Sequence, residues 1–166
     1  MTARSPYDTL ITVFGGSGFL GRSVVRALAK RDYRIRVAVR RPELAGHLQP
    51  LGRVGQIEVV QANLRHAGSV EAAMRGSALA INLVGILFER GRQSFDAVQT
   101  VGADHVARAA ATHGADLIHV SAIGADVEST SGYARSKADG EARVRAARPV
   151  WAFVLDIGFS GVQAVR

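Results

Sequence analysis

The chain has 166 residues, of which 48% are hydrophobic and 21% are charged, and its formal net charge at pH 7 is +7. This composition is typical of a globular domain and excludes disordered, collagen-like and coiled-coil chains. Because the sequence contains no cysteine, disulfide frameworks, iron–sulfur clusters, thiolate metal sites and cysteine nucleophiles are excluded as well.

The excess positive charge is concentrated in one stretch of the chain. Nine of the 21 basic residues, but only two of the 14 acidic ones, lie between residues 22 and 53. Aromatic residues, which stack on bases in many nucleic-acid-binding proteins, make up only 6% of the sequence. We therefore expect the charge to serve a phosphate-bearing nucleotide, and nucleic acid is the less favoured partner.

The apolar runs are too short for a membrane span, which needs roughly 18–20 residues. Residues 1–9 are polar and lead directly into an apolar run, without the pattern of a signal peptide. The sequence therefore predicts no transmembrane segment, and we expect a cytoplasmic protein.

Apolar runs that favour strands alternate with amphipathic stretches that favour helices. In chain order they are strand 10–14, helix 19–30, strand 35–39, short helix or loop 42–51, strand 57–60, short helix 70–74, strand 78–84, helix 95–113, strand 117–120, helix 132–148 and strand 150–157. Such alternation is typical of a parallel sheet covered by helices on both faces. We predict an α/β protein with a doubly wound parallel sheet of about six strands, a Rossmann fold, formed by residues 1–166 as one domain.

The junction between the first strand and the first helix carries the pattern G-x-x-G-x-x-G. Gly15 would permit a tight turn, Gly18 a close approach of the backbone to a pyrophosphate, and Gly21 close packing of the helix. The N–H groups of the first helical turn also attract an anion. The expected phosphate-binding residues are Gly15, Ser17, Gly18, Phe19, Leu20 and Gly21.

The end of the second strand indicates which dinucleotide is bound. NAD sites usually carry an acid about 20 residues after the glycine motif, whereas Arg40 and Arg41 stand 19 and 20 residues after Gly21. A guanidinium group can hold a 2′-phosphate with two parallel hydrogen bonds. The sequence therefore favours NADP(H) over NAD(H), and we expect one of the two arginines to be a solvated surface residue.

Four further elements give the chain a resemblance to the short-chain dehydrogenase/reductase superfamily over residues 9–148. They are the pair Asn63-Leu64 after the third strand, the glycine-ended turn Asn82-Leu83-Val84-Gly85, Ser121 at the end of the fifth strand, and Tyr133-x-x-x-Lys137 at a helix start. The resemblance implies that Asn63 and Leu64 lie near the adenine. It also implies that Leu83, Val84 and Gly85 lie beside the nicotinamide ribose.

The same resemblance implies a Ser-Tyr-Lys catalytic triad. Tyr133 and Lys137 are four residues apart and share one helix face. The ammonium group would lower the pKa of the tyrosine, which is about 10 in a free side chain, and so favour acid–base chemistry. Lys137 would also bind the cofactor ribose, and Ser121 would donate a hydrogen bond to a substrate carbonyl.

Three segments, 82–88, 119–126 and 133–141, narrow the resemblance to an atypical subgroup of that superfamily. This subgroup contains the NADPH-binding accessory subunit of respiratory complex I and its bacterial homologues. The resemblance implies a tightly bound, structural NADPH and a link to quinone or respiratory-chain biology. It further implies complex I or other membrane-associated subunits as partners, and a peripheral position at the inner face of a respiratory membrane.

Two other functions stay open, because the same subgroup borders other proteins. One is an NADP-dependent oxidoreductase or sugar-nucleotide epimerase that uses the triad, and the other is a redox-sensing regulator resembling the NmrA repressor. Members of the subgroup usually continue for more than a hundred further residues, which supply a substrate lobe. The expectation is therefore a truncated chain in which that lobe is missing and turnover is doubtful.

The remaining polar residues predict no further chemistry. The five histidines show no metal-ligand spacing, and His119 is expected to be packed inside the protein. Asp139 and Glu141 are interpreted as solvated charges.

Two aromatic residues near the end of the chain have two possible environments. Trp151 and Phe153 belong to the core or are exposed, and exposure would favour self-association.

Overall fold

The computed structural model describes residues 5–147, 149 and 152–157. Its centre is one sheet of six parallel strands in the order β3-β2-β1-β4-β5-β6. The strands are β1 (Leu10–Phe14), β2 (Arg34–Val39), β3 (Ile57–Gln61), β4 (Leu79–Asn82), β5 (Asp116–Ala122) and β6 (Ala152–Ile157). This sheet confirms the predicted doubly wound Rossmann-like fold. Residues 150 and 151 of the predicted last strand, Trp151 included, lie outside the described residues.

In the described part of the chain, four α-helices connect the strands. They are α1 (Phe19–Ala29), α2 (Ala67–Met74), α3 (Val101–His113) and α4 (Gly132–Ala147). The stretch predicted as a short helix or loop forms two 3₁₀ turns, Pro42–Leu44 and Gly46–Leu51. Across the described ranges, no helix is both long enough and apolar enough to cross a bilayer.

The sheet separates two hydrophobic cores. On one face, α2, α3 and α4 contribute residues such as Val70, Val106 and Val144 to a core that also contains Leu117 of β5. On the other face, Val25 of α1 and Leu48 of the second 3₁₀ turn pack on β1, β2 and β3. The strands read as continuous apolar runs because both faces of the central strands are covered.

The predicted helical stretch 95–113 is helical throughout, but its first part is not an ordinary α-helix. A π-helical turn, Asp96–Thr100, precedes α3. Two buried polar side chains in this turn bond to α4: Gln99 Nε2 donates to Ser136 Oγ at 2.9 Å, and Thr100 Oγ1 donates to the Ser136 carbonyl oxygen at 3.2 Å. Tertiary hydrogen bonds therefore fix a backbone form that the apolar spacing does not reveal. At the other end, Gly114 caps α3 in the left-handed region with φ +63°, as predicted.

Candidate functional site

The turn between β1 and α1 requires glycine at two of the three predicted positions. Gly15 has φ +79°, and its carbonyl oxygen accepts the N–H of Gly18 at 3.0 Å. A Cβ on Gly21 would lie 2.6 Å from the carbonyl carbon of Gly16, so a side chain there would push α1 away from the turn. No side chain caps the start of α1 at Phe19, which leaves backbone N–H groups of its first turn for a ligand.

This turn opens onto a groove over the carboxyl ends of β1 and β4, the neighbouring strands at which the strand order reverses. The groove has a β2-side cavity of about 260 Å³ and an α4-side cavity of about 280 Å³. The two cavities share the lining residues Gly15, Gly18, Leu83, Val84, Gly85 and Ile86. A two-part groove with the glycine turn in the middle fits the two nucleotide halves of a dinucleotide joined by their pyrophosphate.

The β2-side cavity brings together several of the predicted cofactor residues. Ser17, Arg40, Asn63 and Leu64 all line it. Arg40 and Arg41 are both exposed, but only Arg40 is among the residues that line this cavity. The side-chain oxygen of Asn63 accepts the backbone N–H of Arg65 at 3.2 Å and thereby stabilises the turn after β3.

Two further polar residues of this cavity were missed by the sequence-based prediction. Arg65 lines it beside Asn63, and Gln93 reaches it from the segment after β4. The cavity wall thus carries two guanidinium groups, and no carboxylate occurs among its described lining residues. Arg65 directly follows the Asn63-Leu64 pair, so its position could have been inferred. Gln93 has no such signal, because its place depends on how the segment 86–95 folds back.

The α4-side cavity contains the predicted catalytic residues together with Phe19, Leu20 and Gly21. Lys137 is buried, and its Nζ donates to the carbonyl oxygen of Val120 at 2.8 Å. The ring of Tyr133 packs edge-on against Phe95, with centroids 5.9 Å apart. Burial raises the pKa of Tyr133 above its usual 10. The expected lowering by Lys137 is therefore not the dominant influence on this phenol.

Ser121 lies in the wall of the α4-side cavity, where its hydroxyl bonds to a side chain of α4. It donates to Glu141 Oε1 at 2.6 Å, and Arg145 donates to the other carboxylate oxygen at 3.1 Å. The side chain of Glu141 is only 13% exposed, so the prediction of a solvated charge is wrong. Because α4 places Glu141 over the end of β5, the serine hydrogen is directed at this carboxylate.

A buried pair of polar side chains connects β4 and β5 on the face covered by α3 and α4. Asn82 Oδ1 accepts the N–H of Val84 at 3.2 Å, so its amide nitrogen donates to His119 Nδ1 at 3.1 Å. The histidine is therefore neutral, with its proton on Nε2. Burial, and secondarily the charge of Lys137, lowers the pKa of His119 to about 3. The expected packing of His119 is confirmed, and no cluster of metal-binding side chains occurs in the described part of the chain.

Gln99 was also missed by the sequence-based prediction, and it links the two walls of the α4-side cavity. Its Oε1 accepts the N–H of Ile86 at 3.4 Å, and its Nε2 donates to Ser136 Oγ. The same Ser136 hydroxyl donates to the carbonyl oxygen of Tyr133 at 2.8 Å. The loop after β4 and the start of α4 are thus held at a fixed separation. The sequence did contain a signal for this role, because Gln99 is a polar residue directly after Val98, which faces the core.

Comparison with known proteins identifies relatives of this chain. The chain is 38% identical to the ceramide reductase of Caulobacter vibrioides over 140 residues, which is 84% of this chain and 43% of that protein. It is 34% identical over 139 residues to the mitochondrial NADH-ubiquinone oxidoreductase 40 kDa subunit of Neurospora crassa, covering 83% of this chain and 37% of that subunit. The chain therefore spans less than half the length of these relatives. The expected kinship with complex I accessory subunits is confirmed.

A solved structure from Bacillus halodurans, described as an NAD-dependent epimerase/dehydratase, has the same fold. It superposes with a TM-score of 0.76 at 19% identity, over 90% of this chain and 70% of the other. The sequence pattern of the NmrA-like family matches residues 7–153. Since this range takes in the glycine turn, the arginines after β2 and the Tyr-x-x-x-Lys helix, the chain belongs to the NmrA-like family.

Proposed function

We propose that the chain binds NADP(H) in the two-part groove, with Arg40 recognising the adenosine 2′-phosphate. The observation that carries this proposal is the β2-side cavity, in which Arg40 and Arg65 share the wall with the glycine turn and no described lining residue is acidic. An NAD site would instead hold a carboxylate here for the ribose 2′-hydroxyl. The family and the fold, which are those of nicotinamide-dinucleotide-binding proteins, agree with this proposal.

In this proposal each half of the groove holds one half of the dinucleotide. The pyrophosphate would be held by Gly15, Ser17, Gly18 and the first turn of α1 at Phe19, Leu20 and Gly21. Asn63 and Leu64 would contact the adenine, and Leu83, Val84 and Gly85 the nicotinamide ribose. Lys137 would donate to the hydroxyls of that ribose, and Tyr133 would lie at the nicotinamide end.

Isothermal titration with NADPH and NADH tests the proposal, with Arg40→Ala compared against Arg41→Ala. Both variants remove one positive charge after β2, but only Arg40 lines the cavity. Loss of charge-assisted hydrogen bonds worth about 1.5–3 kcal/mol predicts that Arg40→Ala weakens NADPH binding by roughly 10–100-fold. NADH binding should change little, and Arg41→Ala should resemble the unaltered chain. Equal loss in both variants, or equal affinity of the unaltered chain for the two dinucleotides, would contradict the proposal.

We further propose a structural or slow redox role linked to the respiratory chain or to quinones, with residues 1–166 acting as one dinucleotide-binding unit. The relative from Neurospora crassa, an NADH-ubiquinone oxidoreductase subunit, supports this role and a position beside membrane-associated subunits. Native electrophoresis of respiratory membranes that contain the tagged chain tests it. Co-migration with complex I subunits is expected. NADPH binding without such a partner would instead favour the redox-sensing function.

A second candidate function is an NADP-dependent reductase or epimerase, and one observation favours it. Tyr133 and Lys137 both line the α4-side cavity, where the nicotinamide half would lie. When bound, the nicotinamide would supply hydride chemistry. Because burial raises the pKa of Tyr133, its hydroxyl stays protonated at neutral pH and can donate a proton to a substrate oxygen.

Tyr133→Phe separates the second candidate from a structural role. If the chain is a reductase, the variant should keep its affinity for NADPH but lose NADPH oxidation with quinone or ketone substrates. Absence of any turnover in the unaltered chain, with tight NADPH binding, would leave the structural role as the function. We do not assign Ser121 to the substrate, since its hydroxyl donates to Glu141.

A further inference from the structure

The segment after β4 folds back as a two-residue hairpin turn at the edge of the β2-side cavity. Arg90 and Gln93 exchange two backbone hydrogen bonds, each 3.1 Å long. Gly91 within the turn has φ +56°, a conformation that glycine adopts without strain. These bonds give residues 90–93, named here the 90–93 turn, a defined shape.

Two arginines from different strand ends bond to the 90–93 turn. Arg40, which follows β2, donates from Nη1 to the side-chain oxygen of Gln93. Arg65, which follows β3, donates from Nη1 to the carbonyl oxygen of Arg92 at 3.0 Å. Arg40, Arg65 and Gln93 all line the same cavity, so the turn bonds to both guanidinium groups that would meet an anion there.

The chemistry of the contact between Gln93 and Arg40 matters for selectivity. A guanidinium group has five N–H donors in a planar fork, and the single amide oxygen of Gln93 occupies only part of that capacity. Because the amide is neutral, it orients Arg40 without cancelling its charge. A carboxylate at the same position would pair with the guanidinium and oppose a second anion beside it.

We propose that Gln93 and Arg65 determine the selectivity for a 2′-phosphorylated adenosine. Gln93 orients the guanidinium group of Arg40, and Arg65 adds a second positive charge to the same cavity. This inference rests on the proposed binding of NADP(H) and adds to it one positioning residue, Gln93, and one further charged residue of the cavity, Arg65. The ligand group concerned is the 2′-phosphate monoester, which is present in NADPH and absent from NADH.

The decisive variant is Gln93→Glu, and Gln49→Glu is its matched control. Both add one negative charge, but Gln49 is exposed in the second 3₁₀ turn, away from the residues that line the groove. Titration with NADPH and NADH should show that Gln93→Glu weakens NADPH binding about tenfold or more and leaves NADH binding within about threefold. Gln49→Glu should keep the ratio of the two affinities. Thermal unfolding of each variant checks that the fold is retained.

A second pair of variants tests Arg65 by removing charge. Arg65→Gln keeps a donor for the Arg92 carbonyl oxygen, and Arg92→Gln removes the same charge from an exposed side chain of the turn. Only Arg65→Gln should lower the ratio of NADPH to NADH affinity. Selective binding of NADPH by the unaltered chain, with that selectivity kept in Gln93→Glu and Arg65→Gln, would overturn this inference and leave the proposed function standing. Equal affinity of the unaltered chain for the two dinucleotides would overturn both.

Discussion

Ser121 and Glu141 form one hydrogen-bonded unit at the end of β5, and this changes what the serine can contribute. Ser121→Ala leaves a mostly covered carboxylate oxygen of Glu141, whose side chain is 13% exposed, without its donor. This predicts a loss of about 1–3 kcal/mol in the free energy of unfolding. Urea denaturation measures this loss, and Ser23→Ala on the exposed side of α1 should stay within about 0.5 kcal/mol of the unaltered chain. Unchanged stability together with a loss of NADPH oxidation would restore the substrate-binding role inferred from the sequence.

The neutral His119 predicts a specific pH dependence of stability. The unfolded chain takes up a proton on this histidine below about pH 6.5, whereas the folded chain does so only near pH 3. The unfolded state therefore binds more protons, and the free energy of unfolding falls as the pH falls through this window. Between about pH 6 and pH 4 this group should contribute a loss of about 1 kcal/mol per pH unit.

His119→Asn removes that contribution, because the asparagine does not titrate. Urea denaturation at several pH values should show a shallower loss of stability for the variant than for the unaltered chain. His66→Asn, at an exposed histidine beside α2, is the matched control and should keep the original slope. An identical slope in His119→Asn and the unaltered chain would mean that another group causes the acid sensitivity.

The residues that the sequence predicted best are those whose role depends on the local backbone. Gly15 and Gly21 were identifiable because a turn between a strand and a helix imposes its own conformation and spacing. The distance from that turn placed Arg40 and Arg41 at the end of β2, but only the structure shows which of the two lines the β2-side cavity. The bond between Ser121 and Glu141 could not be predicted, since it depends on the rotation of α4 over the sheet.

At the scale of elements, the packing of α4 on the π-turn depends on Gly140. A Cβ at this position would overlap the carbonyl oxygen of Gln99, whereas a Cβ at Gly68 in α2 would meet open space. We expect Gly140→Ala to lower the free energy of unfolding by about 1–3 kcal/mol through overpacking. Gly68→Ala should raise it by up to about 1 kcal/mol through helix propensity. Chemical denaturation of both variants checks this, and a stabilising Gly140→Ala would refute the close packing.

The strands were predictable as elements because both faces of a central parallel strand are apolar, which produces recognisable runs. The helix periodicity was also visible in 95–113, where Val98, Val101 and Val106 keep a helical spacing. The π-turn within that stretch was not predictable, because the extra residue is fixed by bonds from Gln99 and Thr100 to a helix more than thirty residues later. Hydrogen bonds between residues far apart in the chain produce no periodic pattern of residue types in the sequence.

At the scale of the whole molecule, the described residues cover the two faces of the sheet unequally. Three helices pack on one face, and α1 with the second 3₁₀ turn packs on the half of the other face formed around β1, β2 and β3. Phe153 and Leu155 of β6 are 62% and 53% exposed. Val154, which lies between them in β6, points to the opposite face of the sheet and packs against the core formed with α2, α3 and α4. Neighbouring exposed apolar side chains on a strand favour association between molecules.

The 166-residue chain should therefore self-associate as its concentration rises. Leu155→Ser removes an exposed apolar side chain from β6 and should weaken this association. Val54→Ser removes one from a fully exposed loop position and should leave it unchanged. Sedimentation equilibrium over a range of concentrations compares the three chains. A monomeric unaltered chain at all concentrations, or an equal effect of both variants, would contradict the role of the β6 surface.

The π-turn also makes the groove sensitive to the deletion of a single residue. A π-helical turn contains one residue more than the α-helical turn that could replace it. Deleting a single residue from 96–100 would let an ordinary α-helical turn form. The segments on either side would keep their orientation, but the residues of the turn itself would face different directions. Gln99 would then no longer be positioned between Ile86 and Ser136. A deletion of one residue in this turn would therefore uncouple the two walls of the groove while leaving the residues of both walls unchanged.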